Sequence, residues 1–235
     1  PHDSWANSYD QLFEASFGSH LANLTDLTME MVLELTEPSE SILDIGAGTG
    51  RMSLPLIESN FYVSSLDPSA GMLSQLSTKL PLHPNLELIH CPVAELETHE
   101  RHHGALCIFT VSSYWLDEST FANSLRSIYN ALLPNGWLII DRTLKTSFSD
   151  TVFQNEKIQR QAMIEDLGGD LYRFTEQSTI SSSNNIKQIN DSFLIRYWEE
   201  DLFLDHVKAT GFSVEQDLSQ VFASSGASFY LLRKD

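Results

Sequence analysis

The sequence has few positive charges for its length. Its 235 residues include 14 Lys and Arg against 32 Asp and Glu, so the formal net charge is −18. An enzyme that acts on nucleic acid needs a basic face to neutralise phosphates, and no cluster of basic residues occurs along this chain. We therefore expect no nucleic-acid partner. The acidic surface favours solubility, and it could also attract a cationic or amine-bearing substrate.

Cysteine and long apolar segments are equally scarce. The two cysteines, Cys91 and Cys107, are too few for a disulfide-dependent scaffold or a zinc site, and we expect both to be small buried residues on or beside strands. No run approaches the ~18 consecutive apolar residues of a membrane helix. Residues 1–10 also lack the cationic start and apolar core of a signal peptide. We therefore expect a cytoplasmic protein with no membrane partner.

Only one stretch has the composition of a metal site. It is His-Glu-Arg-His-His, at residues 99–103. No carboxylate or histidine partner recurs at a helical spacing, as a metal-binding helix would require. We interpret the stretch as a solvated loop between strands and predict no metal.

Glycine is concentrated in one turn. Residues 42–51 are Ile-Leu-Asp-Ile-Gly-Ala-Gly-Thr-Gly-Arg, a buried strand followed by glycines on alternate positions. Glycine lets the backbone turn tightly and approach a ligand without Cβ clashes, so a nucleoside cofactor is indicated. The dinucleotide fingerprint Gly-x-Gly-x-x-Gly would need glycine where Arg51 stands. A P-loop is excluded because no Gly-Lys-Ser/Thr follows.

A second acidic residue follows the next predicted strand, residues 61–66. Asp67 ends that strand 67 − 46 = 21 residues after Gly46. This spacing is close to the ~20 residues expected for a carboxylate that accepts ribose hydroxyls. The alternative is that Asp67 caps the helix that begins near Ser69. Spacing alone leaves both roles open.

The glycine turn and the acidic residues around it resemble the first two motifs of the class I S-adenosylmethionine-dependent methyltransferases. The resemblance covers roughly residues 5–145 and is weaker beyond them. It implies an α/β fold with a doubly wound, mostly parallel seven-stranded sheet, an antiparallel last strand, helices on both faces and a β-hairpin insertion after strand five. It also implies S-adenosyl-L-methionine as cofactor and methyl transfer to N or O of a small molecule. A protein or peptide acceptor, or a non-catalytic regulatory subunit, remain alternatives.

The resemblance also implies which residues contact the cofactor. In the family the glycine turn passes under the methionine part, the acidic residue before it orients the charged end, and a lid tyrosine touches the carboxylate. Met72 falls where the family packs a side chain near the adenine, although plain core packing explains it almost as well. The third motif departs from the family, because Pro92 stands where an adenine-binding Asp is usual. The expected set is Tyr9, Asp44, Gly46, Ala47, Gly48, Gly50, Asp67, Pro68, Met72, Val93, Ala94, Glu95 and Thr110.

The acceptor should bind where strands four and five end, because ligands of open α/β sheets lie beyond the carboxyl ends of the strands. Strand four is predicted at residues 105–110, and strand five at 137–141 after a turn at 133–136. The catalytic candidates are Tyr114, Arg142 and Tyr197. An aromatic ring could hold a cationic amine, and an arginine could clamp a carboxylate. Ordinary packing is the alternative for each, and no histidine is identified as a base.

We expect a single domain over residues 1–235, as a monomer or homodimer. Its predicted parts are an N-terminal lid and helices (1–40), with a helical apolar stripe over 19–36, a cofactor core (41–145), a substrate cover (146–198) and a closing helix and strands (199–235). Within the cover, 149–166 is helix-compatible, and 171–180 and 186–198 form a hairpin across 181–185. The last helix should end at Gly211, before an antiparallel pair at 212–218 and 228–232.

Overall fold

Two β-sheets organise the chain. The computed structural model describes residues 2–182 and 185–235. Its strands are β1 (Ser41–Ile45), β2 (Tyr62–Leu66), β3 (Leu86–Ile89), β4 (His102–Cys107), β5 (Leu132–Thr143), β6 (Thr151–Gln154), β7 (Ile158–Gly168), β8 (Leu171–Ser182), β9 (Asn185–Arg196), β10 (Phe212–Asp217) and β11 (Ala227–Lys234). Its helices are α1 (Ala6–Leu35), α2 (Ser53–Glu58), α3 (Ala70–Lys79), α4 (Glu118–Ala131) and α5 (Glu200–Thr210).

The large sheet has seven strands in the order β10-β11-β5-β4-β1-β2-β3. Strands β1 to β5 pair in parallel, and β11 joins β5 antiparallel. Apolar clusters cover both faces, which is why β1 is buried along nearly its whole length. Helix α4 buries Phe121, Leu125 and Ile128, which share one face at a spacing of three to four residues. The predicted fold class is therefore confirmed for this sheet.

The cover is a four-stranded antiparallel sheet, β6-β7-β8-β9, where a single hairpin was expected. The predicted hairpin corresponds to β8 and β9, and Ser183 and Asn184 of its connection lie outside the described residues. The helix expected over 149–166 is wrong, because β6 and β7 occupy that stretch. Its buried residues alternate along β7 as Ile158, Arg160 and Ala162. Because Arg160 is charged, the sequence does not show the alternation of apolar residues that would predict this strand.

The histidine stretch is only partly a loop. Strand β4 already begins at His102, which is 1% exposed, and neither of its ring nitrogens has a hydrogen-bond partner among the described residues. Burial lowers the pKa of His102 to about 4. Across residues 2–182 and 185–235, no group of three or more His, Cys, Asp or Glu side chains is placed to hold a metal. The prediction of a solvated loop over 99–103 is therefore wrong for residues 102 and 103, which belong to β4.

Strand β5 starts earlier than predicted. Leu132 pairs with His102 and Trp137 pairs with Gly104, so residues 133–136 form a bulge inside the strand. Asn135 has a φ of 63° at this bulge. A Cβ at Gly104 would lie 2.1 Å from the Trp137 ring, so glycine is required where this indole crosses β4.

Helix α1 is one continuous helix, of which the predicted stripe at 19–36 is the second half. Its first half packs Leu12 against Ile158, Ile180 and Ile189 of the cover sheet. Its second half contributes Leu24, Met29 and Val32 to the core under the large sheet. None of the helices in the described part of the chain has the length and hydropathy needed to cross a membrane. Helix α5 ends at Gly211, with a φ of 109°, as predicted.

Candidate active site

The site is a cavity of ≈ 750 Å³ between the two sheets. The turns after β1, β2 and β4 form its floor, and β7 to β9 with the N-terminal residues form its cover. The predicted site residues that line it are Tyr9, Asp44, Gly46, Ala47, Gly48, Asp67, Pro68, Met72, Val93, Ala94, Thr110 and Tyr114. Gly50, Glu95, Arg142 and Tyr197 do not line it.

The glycine turn has a left-handed backbone at each glycine. The φ angles of Gly46, Gly48 and Gly50 are 68°, 57° and 98°. A Cβ on Gly46 would lie 2.5 Å from Val111 Cγ2, whereas Gly48 faces open space with only a carbonyl oxygen at 3.9 Å. A Cβ on Gly50 would lie 2.4 Å from Leu76 Cδ1. Gly50 therefore serves packing against α3, which corrects its assignment to the cofactor.

Asp67 joins the first and second motifs directly. Its Oδ2 accepts a hydrogen bond from Gly48 N at 2.8 Å, and its Oδ1 accepts one from Ser69 N at 2.8 Å. Burial raises the pKa of this carboxyl, which is 8% exposed. The cap of α3 is Ser69, which accepts from Met72 N, so the capping alternative for Asp67 does not hold. A carboxylate has about four lone-pair sites, so two remain for hydroxyl donors.

Asp44 and Arg51 place opposite charges on either side of the turn. Asp44 Oδ2 accepts from Ser53 Oγ at 2.6 Å, and burial raises the pKa of Asp44 to about 6. The Arg51 guanidinium lies 5.0 Å above the Phe109 ring centroid and donates to Thr25 Oγ1 at 3.1 Å. Burial lowers the pKa of Arg51, against the charge of Asp44. The sequence analysis used Arg51 only to exclude a dinucleotide-binding motif and did not predict these contacts.

The far end of the cofactor side is apolar. Met72 and Val93 are 2% and 6% exposed and line the cavity beside Pro92 and Ala94. Glu95 is exposed to solvent and outside the lining, so its carboxylate does not face this space. Glu95, expected among the cofactor-binding residues, therefore does not line the cavity, while cofactor contacts from Val93 and Ala94 stay a prediction.

Asp141 shapes the turn after β4. Its Oδ2 accepts from Phe109 N at 2.7 Å and from Thr110 N at 2.9 Å. These two residues have φ angles of 70° and 67°, a left-handed conformation that is strained for non-glycine residues. Burial raises the pKa of Asp141 to about 6. Sequence reasoning treated Asp141 only as the end of strand five and missed this role.

Two of the three catalytic candidates lie elsewhere. Arg142 donates to Trp198 O at 3.2 Å and to Glu200 Oε2 at 2.9 Å, which fixes the start of α5. Neighbouring side chains on a strand point to opposite faces, so Arg142 points away from the side that Asp141 serves. Tyr197 packs against Phe148, with Lys145 Nζ 5.0 Å from its ring centroid. Both assignments are corrected, and Tyr114 alone faces the cavity.

The cover sheet contributes a buried ion pair. Arg160 donates from Nε to Glu176 Oε1 at 3.0 Å and from Nη2 to Oε2 at 2.8 Å. Its guanidinium lies 5.0 and 5.1 Å from the ring centroids of Phe13 and Phe17. Tyr9 stacks on Phe13 at 4.2 Å, and burial raises the pKa of Tyr9. The charges of this pair neutralise each other, so the cover presents mainly aromatic surface.

The N-terminal segment is bonded to both sides of the cavity. Asp3 Oδ1 accepts from Ser69 Oγ at 2.9 Å and from Gly71 N at 2.7 Å, at the start of α3. On the other side, Lys187 of β9 donates to Asn7 Oδ1 at 2.6 Å. The segment therefore connects the cofactor side to the cover.

Comparison with known proteins places this site in a family. Residues 42–136, which include the glycine turn and Asp67, match the family described as a methyltransferase domain. Over these residues the chain matches a methyltransferase domain, and its whole fold is that of the class I S-adenosylmethionine-dependent methyltransferases. An alignment with the glycine/sarcosine N-methyltransferase of Aphanothece halophytica is 26% identical over 153 residues, 60% of this chain and 58% of that protein. The chain spans about half the length of the curated relatives it matches, from 41 to 58%.

Solved structures show the same fold. An S-adenosylmethionine-dependent methyltransferase from Clostridium acetobutylicum superposes with a TM-score of 0.84 at 15% identity, covering 97% of this chain and 98% of that one. CalS10, an amino pentose methyltransferase from Micromonospora echinaspora with S-adenosylmethionine bound, gives 0.76 at 15% identity, covering 97% and 96%. These similarities extend over the cover sheet as well as the large sheet.

The cavity of this methyltransferase domain fits S-adenosylmethionine, the cofactor of the family. Gly48 leaves open the space that a Cβ would enter, so the backbone can approach the methionine part. Asp67 has lone pairs free for two ribose hydroxyls. The slot between Met72 and Val93 is apolar, as a purine ring requires. The residue contacts themselves stay predictions.

Proposed function

We propose that the protein transfers a methyl group from S-adenosylmethionine to a nitrogen or oxygen of a small molecule. The observation that carries the proposal is the continuity of one cavity from Asp67 and the glycine turn to Tyr114 under the cover sheet. Donor and acceptor can therefore meet in one space. The alternative of a non-catalytic subunit gains no support from Pro92, because Pro92 lines the same cavity as Asp67 and Tyr114.

The covered cavity favours a small acceptor over a polypeptide. Strands β7 to β9 and the N-terminal segment lie over the acceptor side, where a peptide chain would need an open groove. Two related proteins named above act on small amines, glycine or sarcosine in one case and an amino pentose in the other. The net charge of −18 supports the expectation that neither nucleic acid nor an anionic membrane surface is a partner.

The bound cofactor would supply a methyl group on a positively charged sulfur. The residues of the chain then have three tasks, which are binding, alignment and exclusion of water. Asp67 would hold the ribose and the glycine turn the methionine part, while the Asp141-supported turn at Phe109 and Thr110 positions Tyr114 beside the acceptor. The aromatic cover keeps water away from the line of attack. No covalent enzyme intermediate is required.

Calorimetric titration with S-adenosylmethionine and with S-adenosylhomocysteine tests the shared premise. We expect both to bind, and a protein that binds neither would contradict the proposal. Transfer of tritiated methyl to a library of amine and hydroxyl metabolites then tests the acceptor. Incorporation only into polypeptide would overturn the choice of a small molecule.

A further inference from the structure

A carboxylate, an imidazole and a phenol lie in a row at the acceptor end of the cavity. His2 Nε2 lies 3.0 Å from the Tyr114 hydroxyl oxygen, and His2 Nδ1 lies 3.2 Å from Asp191 Oδ2. Tyr114 belongs to the turn after β4, and Asp191 belongs to β9 of the cover. Both His2 and Tyr114 line the cavity. Three separate parts of the chain therefore converge on one point.

The environment fixes the imidazole in this orientation. Asp191 Oδ2 accepts from His2 N and from Trp5 Nε1, both at 2.9 Å. The Phe193 ring lies 4.9 Å from the imidazole centroid and the Trp5 ring 5.3 Å, each nearly perpendicular to it. Nδ1 has no hydrogen-bond partner among the described residues, but the negative charge of Asp191 at 3.2 Å favours a proton on that nitrogen, which leaves Nε2 free to accept from Tyr114.

The ionisable groups around His2 come from each element packed on it. They are Asp191 of β9, Tyr114 of the turn after β4, Tyr9 of α1 and Asp3 of its own segment. Burial lowers the pKa of His2 to about 4, although Asp191 opposes the shift. Burial also raises the pKa of Tyr114. At neutral pH the imidazole is therefore uncharged, and the phenol keeps its proton.

We propose that Tyr114, His2 and Asp191 form a proton relay that takes the proton of the methyl acceptor. The inference rests on the proposed function and adds the missing base to it. The acceptor lone pair forms the bond to the methyl carbon, and the carbon–sulfur bond breaks with its electron pair left on sulfur. The acceptor proton passes to the Tyr114 oxygen as the Tyr114 proton moves to His2 Nε2. Asp191 stabilises the resulting imidazolium.

Hydroxyl and amine acceptors should depend on the relay to different extents. A hydroxyl oxygen becomes strongly acidic as its bond to carbon forms, so it must release its proton to a base. A neutral amine becomes a stable ammonium, which can leave with its proton. Loss of the relay should therefore slow transfer to a hydroxyl far more than transfer to an amine of the same shape. If His2 had only a structural role, its replacement would slow methyl transfer to the hydroxyl and to the amine equally.

The test compares 2-phenylethanol with 2-phenylethylamine, whose ring suits the aromatic cavity, at saturating S-adenosylmethionine. We expect His2→Gln and Tyr114→Phe to reduce tritiated methyl transfer to the alcohol about 100-fold or more, and transfer to the amine by less than about tenfold. Phe17→Leu is the matched control, because Phe17 lines the same cavity but packs on Phe13 and Arg160 instead of the relay residues, so any loss should fall equally on both probes. In the wild type, transfer to the alcohol should rise with pH through about 4 and then level off.

A spectroscopic measurement tests the same assignment without an acceptor. With ¹⁵N-labelled histidine and bound S-adenosylhomocysteine, we expect His2 at neutral pH to carry its single proton on Nδ1, and Asp191→Asn to move it to Nε2. A proton on Nε2 in the wild type, or equal losses with both probes in His2→Gln, would overturn the relay while the proposed function stands. Failure of the wild type to methylate either probe, with cofactor binding intact, would overturn the relay together with the proposed acceptor class.

Discussion

Asp67 links cofactor binding to the shape of the glycine turn, because one carboxylate oxygen holds Gly48 N and the other holds Ser69 N. We predict that Asp67→Ala weakens S-adenosylmethionine binding by on the order of 1 to 3 kcal/mol, through the loss of two ribose hydrogen bonds. Calorimetric titration measures the change. Asp67→Asn keeps one acceptor oxygen, so its affinity for S-adenosylmethionine should lie between those of the wild type and the alanine variant. Unchanged affinity in a folded alanine variant would show that the ribose assignment is wrong.

The site residues that could be predicted are those within short motifs. Asp44, Gly48 and Asp67 were found because a strand, a turn and a fixed spacing place them at one sheet edge. Asp141 and Asp191 were missed because each acquires its role through partners far away in sequence. Asp141, for example, holds the amides of residues 109 and 110, and Asp191 holds residues 2 and 5. No local spacing signals such contacts.

At the scale of elements, Gly50 decides how closely the glycine turn can approach α3. We predict that Gly50→Ala lowers the free energy of unfolding by about 2 to 5 kcal/mol, from the left-handed backbone and the contact with Leu76. Gly168→Ala is the matched control, since its φ is 83° but no atom lies within 4 Å of the new Cβ. Urea unfolding of both variants measures the difference. Equal losses would contradict the packing role of Gly50.

The elements of the large sheet were predictable and those of the cover were not. Parallel strands buried on both faces are continuous apolar runs, which a sequence displays plainly. Strands β6 and β7 instead carry polar residues, and Arg160 is buried only because Glu176 on β8 neutralises it. Their strand conformation depends on pairing with β8, so local propensity pointed to a helix.

At the scale of the whole molecule, buried aspartates and a buried histidine make the free energy of unfolding depend on pH in opposite directions. The raised pKa values of Asp44 and Asp141, about 6 instead of 3.8, add stability as the pH falls through about 6. The lowered pKa of His102, about 4 instead of 6.5, acts the other way. Between these values the unfolded chain binds the histidine proton and the folded protein does not. Stability from His102 is therefore lost as the pH falls from 6.5 to 4.

We predict that His102→Leu stabilises the protein, because it removes two buried nitrogens that have no partner among the described residues. The gain should be about 1 to 3 kcal/mol at about pH 8, and about 2 kcal/mol larger at about pH 5. The contributions of the buried aspartates are common to both proteins and cancel in the difference. Urea unfolding of wild type and variant at the two pH values measures it. A gain that shrinks at the lower pH would contradict the lowered pKa of His102.

Helix α1 also bears on how the molecule can open. At 30 residues it extends over about 45 Å, with its first half packed on the cover sheet and its second half on the core of the large sheet. The two sheets therefore cannot separate as rigid bodies unless this helix bends or detaches from one of them. Gly18, near its middle, is its only glycine. A hinge motion that admits ligand would have its axis near Gly18, about two and a half helical turns after Tyr9, which lines the cavity.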